Sequence, residues 1–151
     1  MSSVAMSGND GLVINNRIFS DFGTATWGEL TFPNQVANMK TGKNGNTIYS
    51  QNQTGFNASM TVMLIRGSGD DKFLNGILAN QNNNFPGTPL LQGSYTKNIG
   101  DGNGKIIKDT YSLNGGLVVN MVEGKSNAEG DTDQSLAVYK LGWASAPRAI
   151  G

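Results

Sequence analysis

The stretch "GFNASMTVMLIRGSGDDKFLNGILANQNNN", residues 55–84, changes its hydrophobic period half-way along, and that change decides the fold. Up to Ile65 the period is two: Phe56, Ala58, Met60, Val62 and Leu64 form one row, and Asn57, Ser59, Thr61, Met63 and Ile65 form the other. Alternate residues of a strand face opposite ways, so the first row faces a core. The second row starts polar and ends apolar, which predicts that its far end is also covered. Past Gly67 the period becomes helical, with Phe73, Leu74, Ile77 and Leu78 at i, i+1, i+4 and i+5. Ser68 stands at the N-cap position, and Asp70 and Asp71 occupy the first turn, where the helix dipole favours negative charge. A helix over about 68–81 is expected, docked on a sheet through its stripe and ended by Asn82–Asn84, Phe85 and Pro86.

Upstream lies "TGKNGNTIYSQN" (41–52), the centre of a long polar arm over about 39–54 in which Gly42, Asn44, Gly45 and Asn46 tolerate positive φ. Before it, "ATWGELTF" (25–32) places Trp27, Glu29 and Thr31 on one side and Gly28, Leu30 and Phe32 on the other, until Pro33 stops the ladder. "GLVINNRIFSDFG" (11–23) reads as a hairpin turning at Asn15, Asn16 and Arg17. Downstream, "FPGTPLLQG" (85–93) reads as a loop anchored by Leu90 and Leu91. Strands follow at about 92–99, 105–113, 115–123 and 134–146; in the last, Leu136, Val138 and Lys140 alternate against Ala137, Tyr139, Leu141 and Trp143. The fold class is mainly β: one antiparallel domain over 1–151 with a single helix against one face.

Composition narrows the function. A chain of 151 residues suffices for one domain with a modest core. Hydrophobic residues make up 37% and charged residues 15%, with a polar remainder rich in turn and strand formers. Eleven basic residues balance eleven acidic ones, unlike the charge excess of disordered chains. Only three arginines occur (Arg17, Arg66 and Arg148), so the clustered positive charge that grips phosphates is missing. Without cysteine there are no disulfides or thiolate metal sites, and without histidine the commonest general base and zinc ligand are gone. No basic start followed by an apolar run opens the chain, and no apolar run could span a bilayer; a cytoplasmic protein without membrane insertion is expected. In that setting the sequons at Asn52 and Asn57 are read as accidental.

The motifs point the same way. "DGNGK" (101–105) begins like a calcium loop, yet Lys105 stands where an oxygen ligand is needed and the closing bidentate Glu is absent. It lacks the spacing of a phosphate loop too, and reads as a turn. Glu123, Glu129, Asp131 and Asp133 admit a cation site or a hydrolytic carboxylate pair, against the plainer reading of a solvated loop. Trp27, Trp143 and the tyrosines admit a sugar-stacking platform, against the plainer reading of core or subunit contact. No nucleophile, base and orienting group assemble, so no catalytic, cofactor or metal residue is assigned and no enzyme is expected.

Three segments carry a resemblance to a known family: "MKTGKNGNTIYSQNQTGFNASMTVML" (39–64), "RGSGDDKFLNGILANQ" (66–81) and "GDTDQSLAVYKLGWASAPRAI" (130–150). In these and in the order of its elements, the chain resembles the tail tube (inner tube) proteins of contractile-tailed bacteriophages, relatives in fold of the tubes of type VI secretion and phage-like bacteriocins. The resemblance implies a β-sandwich or barrel flanked by the helix, forming hexameric rings stacked into a hollow tube. It implies a place in the virion tail after assembly in the host cytoplasm, with sheath, baseplate and tail terminator as partners. DNA would pass through the lumen without specific binding. By position the arm inherits contacts to neighbouring copies and to the next ring, with Met39, Lys40, Lys43, Asn44, Asn46, Ile48, Tyr49 and Gln51 as candidates. Asn57, Ser59, Thr61, Glu123 and Asp133 are the candidates for the lumen. A carbohydrate-binding β-sandwich and the tube of a secretion system are the alternatives.

Overall fold

The structure is a computed structural model that describes residues 4–6, 11–23, 26–126, 128 and 132–151. In chain order its elements are β1 (Ala5–Met6), β2 (Gly11–Ile14), β3 (Arg17–Phe19), β4 (Gly28–Thr31), β5 (Ala37–Thr41), β6 (Thr47–Gln51), β7 (Ala58–Ile65), α1 (Gly69–Asn83), β8 (Leu91–Gly100), β9 (Ile106–Val118), β10 (Leu136–Ser145) and β11 (Arg148–Ile150). Nine strands make one antiparallel sheet in the order β3-β2-β8-β9-β10-β7-β4, with β1 added to β8 and β11 to β9. The remaining two, β5 and β6, pair only with each other. The large sheet curls back on itself. After β3 the chain crosses to β7, where Phe22 bridges Leu64, Ile65 N donates to Asp21 O at 2.9 Å and Gly23 N donates to Met63 O at 3.2 Å.

The two-residue alternation of 58–65 is present in β7: Ala58, Met60, Val62 and Leu64 are buried, and Ser59 and Ile65 are exposed. Its neighbour β10 alternates in register, burying Ala137, Tyr139, Leu141 and Trp143. Leu12, Ile14, Phe19, Leu91, Leu113 and Val118 complete the interior. Fully burying a side chain of this size contributes roughly 1.5–3 kcal/mol, so these rows supply most of the force that closes the sheet. The helix is capped as expected: the Ser68 hydroxyl accepts from Asp71 N, and Leu74 and Leu78 are buried with Phe73 and Ile77 packed beside them. It runs to Asn83, two residues past the expected end, because the asparagines continue the helical ladder before Asn84 leaves it. The first hairpin turns on Asn15 and Asn16, both at positive φ, which suits a two-residue turn between right-twisted strands.

Several expectations are corrected. The two strands read at 105–113 and 115–123 are one, β9, which ends at Val118; Val119 N still donates to Lys140 O at 2.9 Å, and residues 120–123 lie outside any strand. Gly115 (φ +62°) and Gly116 absorb a register shift opposite Leu91/Gln92 instead of making a turn, and Gly116 leaves room for the Trp143 ring, 2.3 Å from where a Cβ would sit. Trp27 and Leu30, expected on opposite faces, both pack on the core, because Trp27 precedes the first paired residue and is not bound by the strand's alternation. Phe56 belongs to a single 3-10 turn (Gln53–Phe56) and is exposed rather than inward. Ile65 is uncovered at the end of β7, and of the two loop anchors only Leu91 is buried. The arm is more regular than its turn chemistry suggested: it is a β-hairpin whose first strand starts at Ala37.

Candidate functional site

The hairpin follows from ordinary local rules. Thr47, Ile48 and Tyr49 are strong strand formers, and the turn is closed by Gly42 N donating to Asn46 O at 2.6 Å, with Gly45 at φ +82°. The register sets Met39 opposite Tyr49 on one face and Lys40 opposite Ile48 on the other. All ten strand residues are exposed, and the three large apolar side chains strongly so: Met39 65%, Ile48 66% and Tyr49 70%. The structure therefore gathers Met39, Lys40, Ile48, Tyr49 and Gln51 onto one element and puts Lys43, Asn44 and Asn46 at its exposed tip. Such a ribbon leaves both outer edges with unpaired backbone groups and carries apolar side chains on both faces.

The row beginning at Asn57 lies on the outer face of the large sheet. Thr61 sits between Glu29 of β4 and Lys140 of β10, and Ser59 between Thr31 and Gly142. Farther along the same face a groove of about 320 Å³ is lined by Met63, Met121, Glu123, Leu136, Val138 and Lys140, among others. Glu123 and the Ser59–Thr61 row therefore share a face, joined through Lys140. Asp133 falls in the turn Thr132–Ser135, but its side chain lies outside the described residues, as do Glu129 and Asp131. Among the described residues no group of three acidic side chains is placed to hold a metal ion, and no helix is long and apolar enough to cross a membrane. Trp143 is 2% exposed and so is removed from any sugar platform, while Trp27 is stacked on Phe22 with centroids 3.8 Å apart.

Three polar residues that hold this scaffold together were not legible as such. Asp70, expected only to complement the helix dipole, is buried and accepts from Arg17 Nε at 3.0 Å and from Ser20 N and Asp21 N at 2.8 Å each. It fixes the helix start to the crossing that closes the sheet. Gln81 is buried, donating to Val118 O at 2.7 Å and accepting from Val118 N at 3.3 Å, so it satisfies the end of β9 as a further strand would. The buried Tyr139 hydroxyl donates to the Asp71 carboxylate; burial, then this bond, push its pKa up. The only sequence signal was polar residues lying beside apolar stripes.

A curled antiparallel sheet, one helix bound to it through buried polar contacts, and a two-faced hairpin standing off it together define a mainly β, barrel-like scaffold. No family model matches the sequence, and no curated protein matches it. Among solved structures, the chain is similar to one in the cryo-EM structure of an extracellular contractile injection system, the PVC sheath/tube terminator in its extended state. The TM-score is 0.57 at 10% sequence identity, over 95% of this chain and 94% of that one. At that identity the likeness is one of fold, and it runs through nearly the whole of both chains. The sequence resemblance named the inner tube; this neighbour comes from a sheath/tube terminator.

Proposed function

We propose that this chain is a structural component of a contractile tail or injection particle, without catalytic activity, and that its finer role is the inner tube. In this reading identical chains form hexameric rings that stack into a hollow cylinder inside a sheath, bounded by a baseplate and a terminator. The observation that carries it is the hairpin: ten exposed strand residues with apolar side chains on both faces. Water is a poor environment for that surface, and a neighbouring copy supplies a better one. Two unlike faces suit a head-to-tail contact, which makes a ring when the rotation between successive copies closes. The fold likeness to a contractile-system chain supports the class.

The polar Asn57, Ser59 and Thr61 row, with Glu123 and Asp133, is assigned to the bore. A neutral chain with three arginines suits a duct, because each phosphate contact would add salt-dependent adhesion and slow transiting DNA. Electron microscopy of the concentrated protein tests the reading: open-ended cylinders of uniform width are expected, and a protein that stays dispersed at every concentration contradicts it. A second reading, a terminator ring, is favoured by the identity of the structural neighbour. It predicts single closed rings that do not stack. Neighbouring sheath and baseplate genes, and whether a capsid accompanies them, separate a phage tail in its virion from a secretion or injection system.

A further inference from the structure

We propose that the hairpin is a preformed, rigidly aimed arm, and that Gly55 is the positioning residue that sets its angle on the barrel; this rests on the assembly role proposed above. The root of the hairpin carries the inference. Gly55 is buried, and a Cβ there would lie 2.4 Å from Gln35 O and 2.6 Å from Val36 Cα. Those are backbone atoms, which cannot swing aside as the end of a side chain can, so only glycine lets the two legs of the hairpin touch at this point. Beside it Asn52 N donates to Val36 O at 2.9 Å, and Asn34 Nδ2 donates to Thr54 O at 3.4 Å. The Asn52 side-chain oxygen accepts from Thr54 N at 3.2 Å and Thr54 Oγ1 at 2.8 Å, holding the 3-10 turn that joins β6 to β7. Below, the Phe32 ring stands 6.3 Å from the Tyr111 ring, which ties the other leg to β9. Both legs are thus fixed to each other and to the barrel before any partner arrives. An arm already ordered loses less conformational entropy when it docks.

The absence of native cysteine makes the test direct. Spin labels on Asn44→Cys, at the tip, and Asn75→Cys, on α1, report the arm's angle by pulsed electron paramagnetic resonance, at a concentration where light scattering shows single chains. One narrow distance distribution is expected. Gly55→Ala is expected to displace or broaden it and to abolish assembly while far-UV circular dichroism of the barrel is retained. Asn52→Ala, which adds no bulk, is expected to broaden it as well, and it decides the matter with the parent distribution should Gly55→Ala not fold. A broad distribution in the parent, or a folded Gly55→Ala chain that assembles as well as the parent, overturns the proposal. The double variant Met39→Ser/Tyr49→Ser separates this from the assembly role. If that variant still assembles, the role itself fails; if it stops assembly and Gly55→Ala does not, only the fixed angle fails.

Discussion

Met39 lies directly across the hairpin from Tyr49, and the described residues leave both largely uncovered: they are 65% and 70% exposed. An apolar pair of this size contributes to folding mainly when buried. Replacing either by serine is therefore expected to leave the free chain's stability within about 0.5 kcal/mol of the parent, as for other surface positions. Assembly, read by sedimentation, is expected to fall steeply. Ile48→Ser tests the opposite face separately, and full assembly of that variant would mean that one face of the hairpin stays wet.

Asp70 behaves oppositely. Its removal leaves Ser20 N and Asp21 N without their acceptor and takes the partner from Arg17. Each buried donor left unsatisfied costs about 1–3 kcal/mol, so Asp70→Ala is expected to lose roughly 3 kcal/mol or more in urea denaturation. A change below about 0.5 kcal/mol would show that the helix start is not held through this carboxylate.

Tyr139 predicts an alkaline limb. Burial and the bond to Asp71 raise its pKa in the folded chain, whereas an unfolded tyrosine ionises near about pH 10. Its contribution is fully present below that value and is lost as pH rises through the raised one, since only the unfolded chain then gains by ionising. Tyr139→Phe is expected to flatten stability above about pH 10 and to cost roughly 1 kcal/mol at neutrality. Thermal melts at stepped pH check both, and an unchanged alkaline limb would contradict the assignment.

At the other edge of the barrel, Arg148 grips Asp109 with Nε at 2.7 Å and Nη2 at 2.9 Å, fastening the short β11 to β9. The hydrogen bond from Arg148 holds the Asp109 pKa below its ordinary value. A depressed carboxylate stabilises the fold above the unfolded value of about 3.9, and that share is lost as pH falls through the folded one. In Arg148→Ala the Asp109 titration, followed by NMR, is expected to return towards the ordinary value, with faster amide exchange at Lys108. Titration at the parent's pH would mean that the pair does not form in solution.

How much of this was legible depended on whether a residue's partners were near it in sequence. The alternation of Ala58 to Leu64 in β7, the Ser68 cap and the Asn15–Asn16 turn are set by neighbours in the chain, and each stood where it was expected, whereas Phe56 and Ile65 at the two ends of the β7 rows did not. The break expected after Leu113 was wrong because glycines also serve close packing: Gly116 makes room for Trp143, whose burial depends on a residue 27 positions away, a separation visible only in the paired register. Asp70 and Gln81 were opaque for the same reason, since Asp70 is bonded to Asp21, 49 positions away in the crossing after β3, and Gln81 to Val118, 37 positions away at the end of β9. The hairpin's composition was plain, yet its regular pairing and the tight root at Gly55 emerge only when 35–36 and 52–55 meet.

The central claim is that the surface of β5 and β6 is completed by identical chains. Hydrogen exchange of residues 37–51, compared between single chains and assembled particles, tests it most directly. Strong protection gained on assembly across both strands, together with shielding of Met39 and Tyr49 from oxidation, is the predicted result. Particles in which these amides exchange as fast as they do in the single chain would contradict the account.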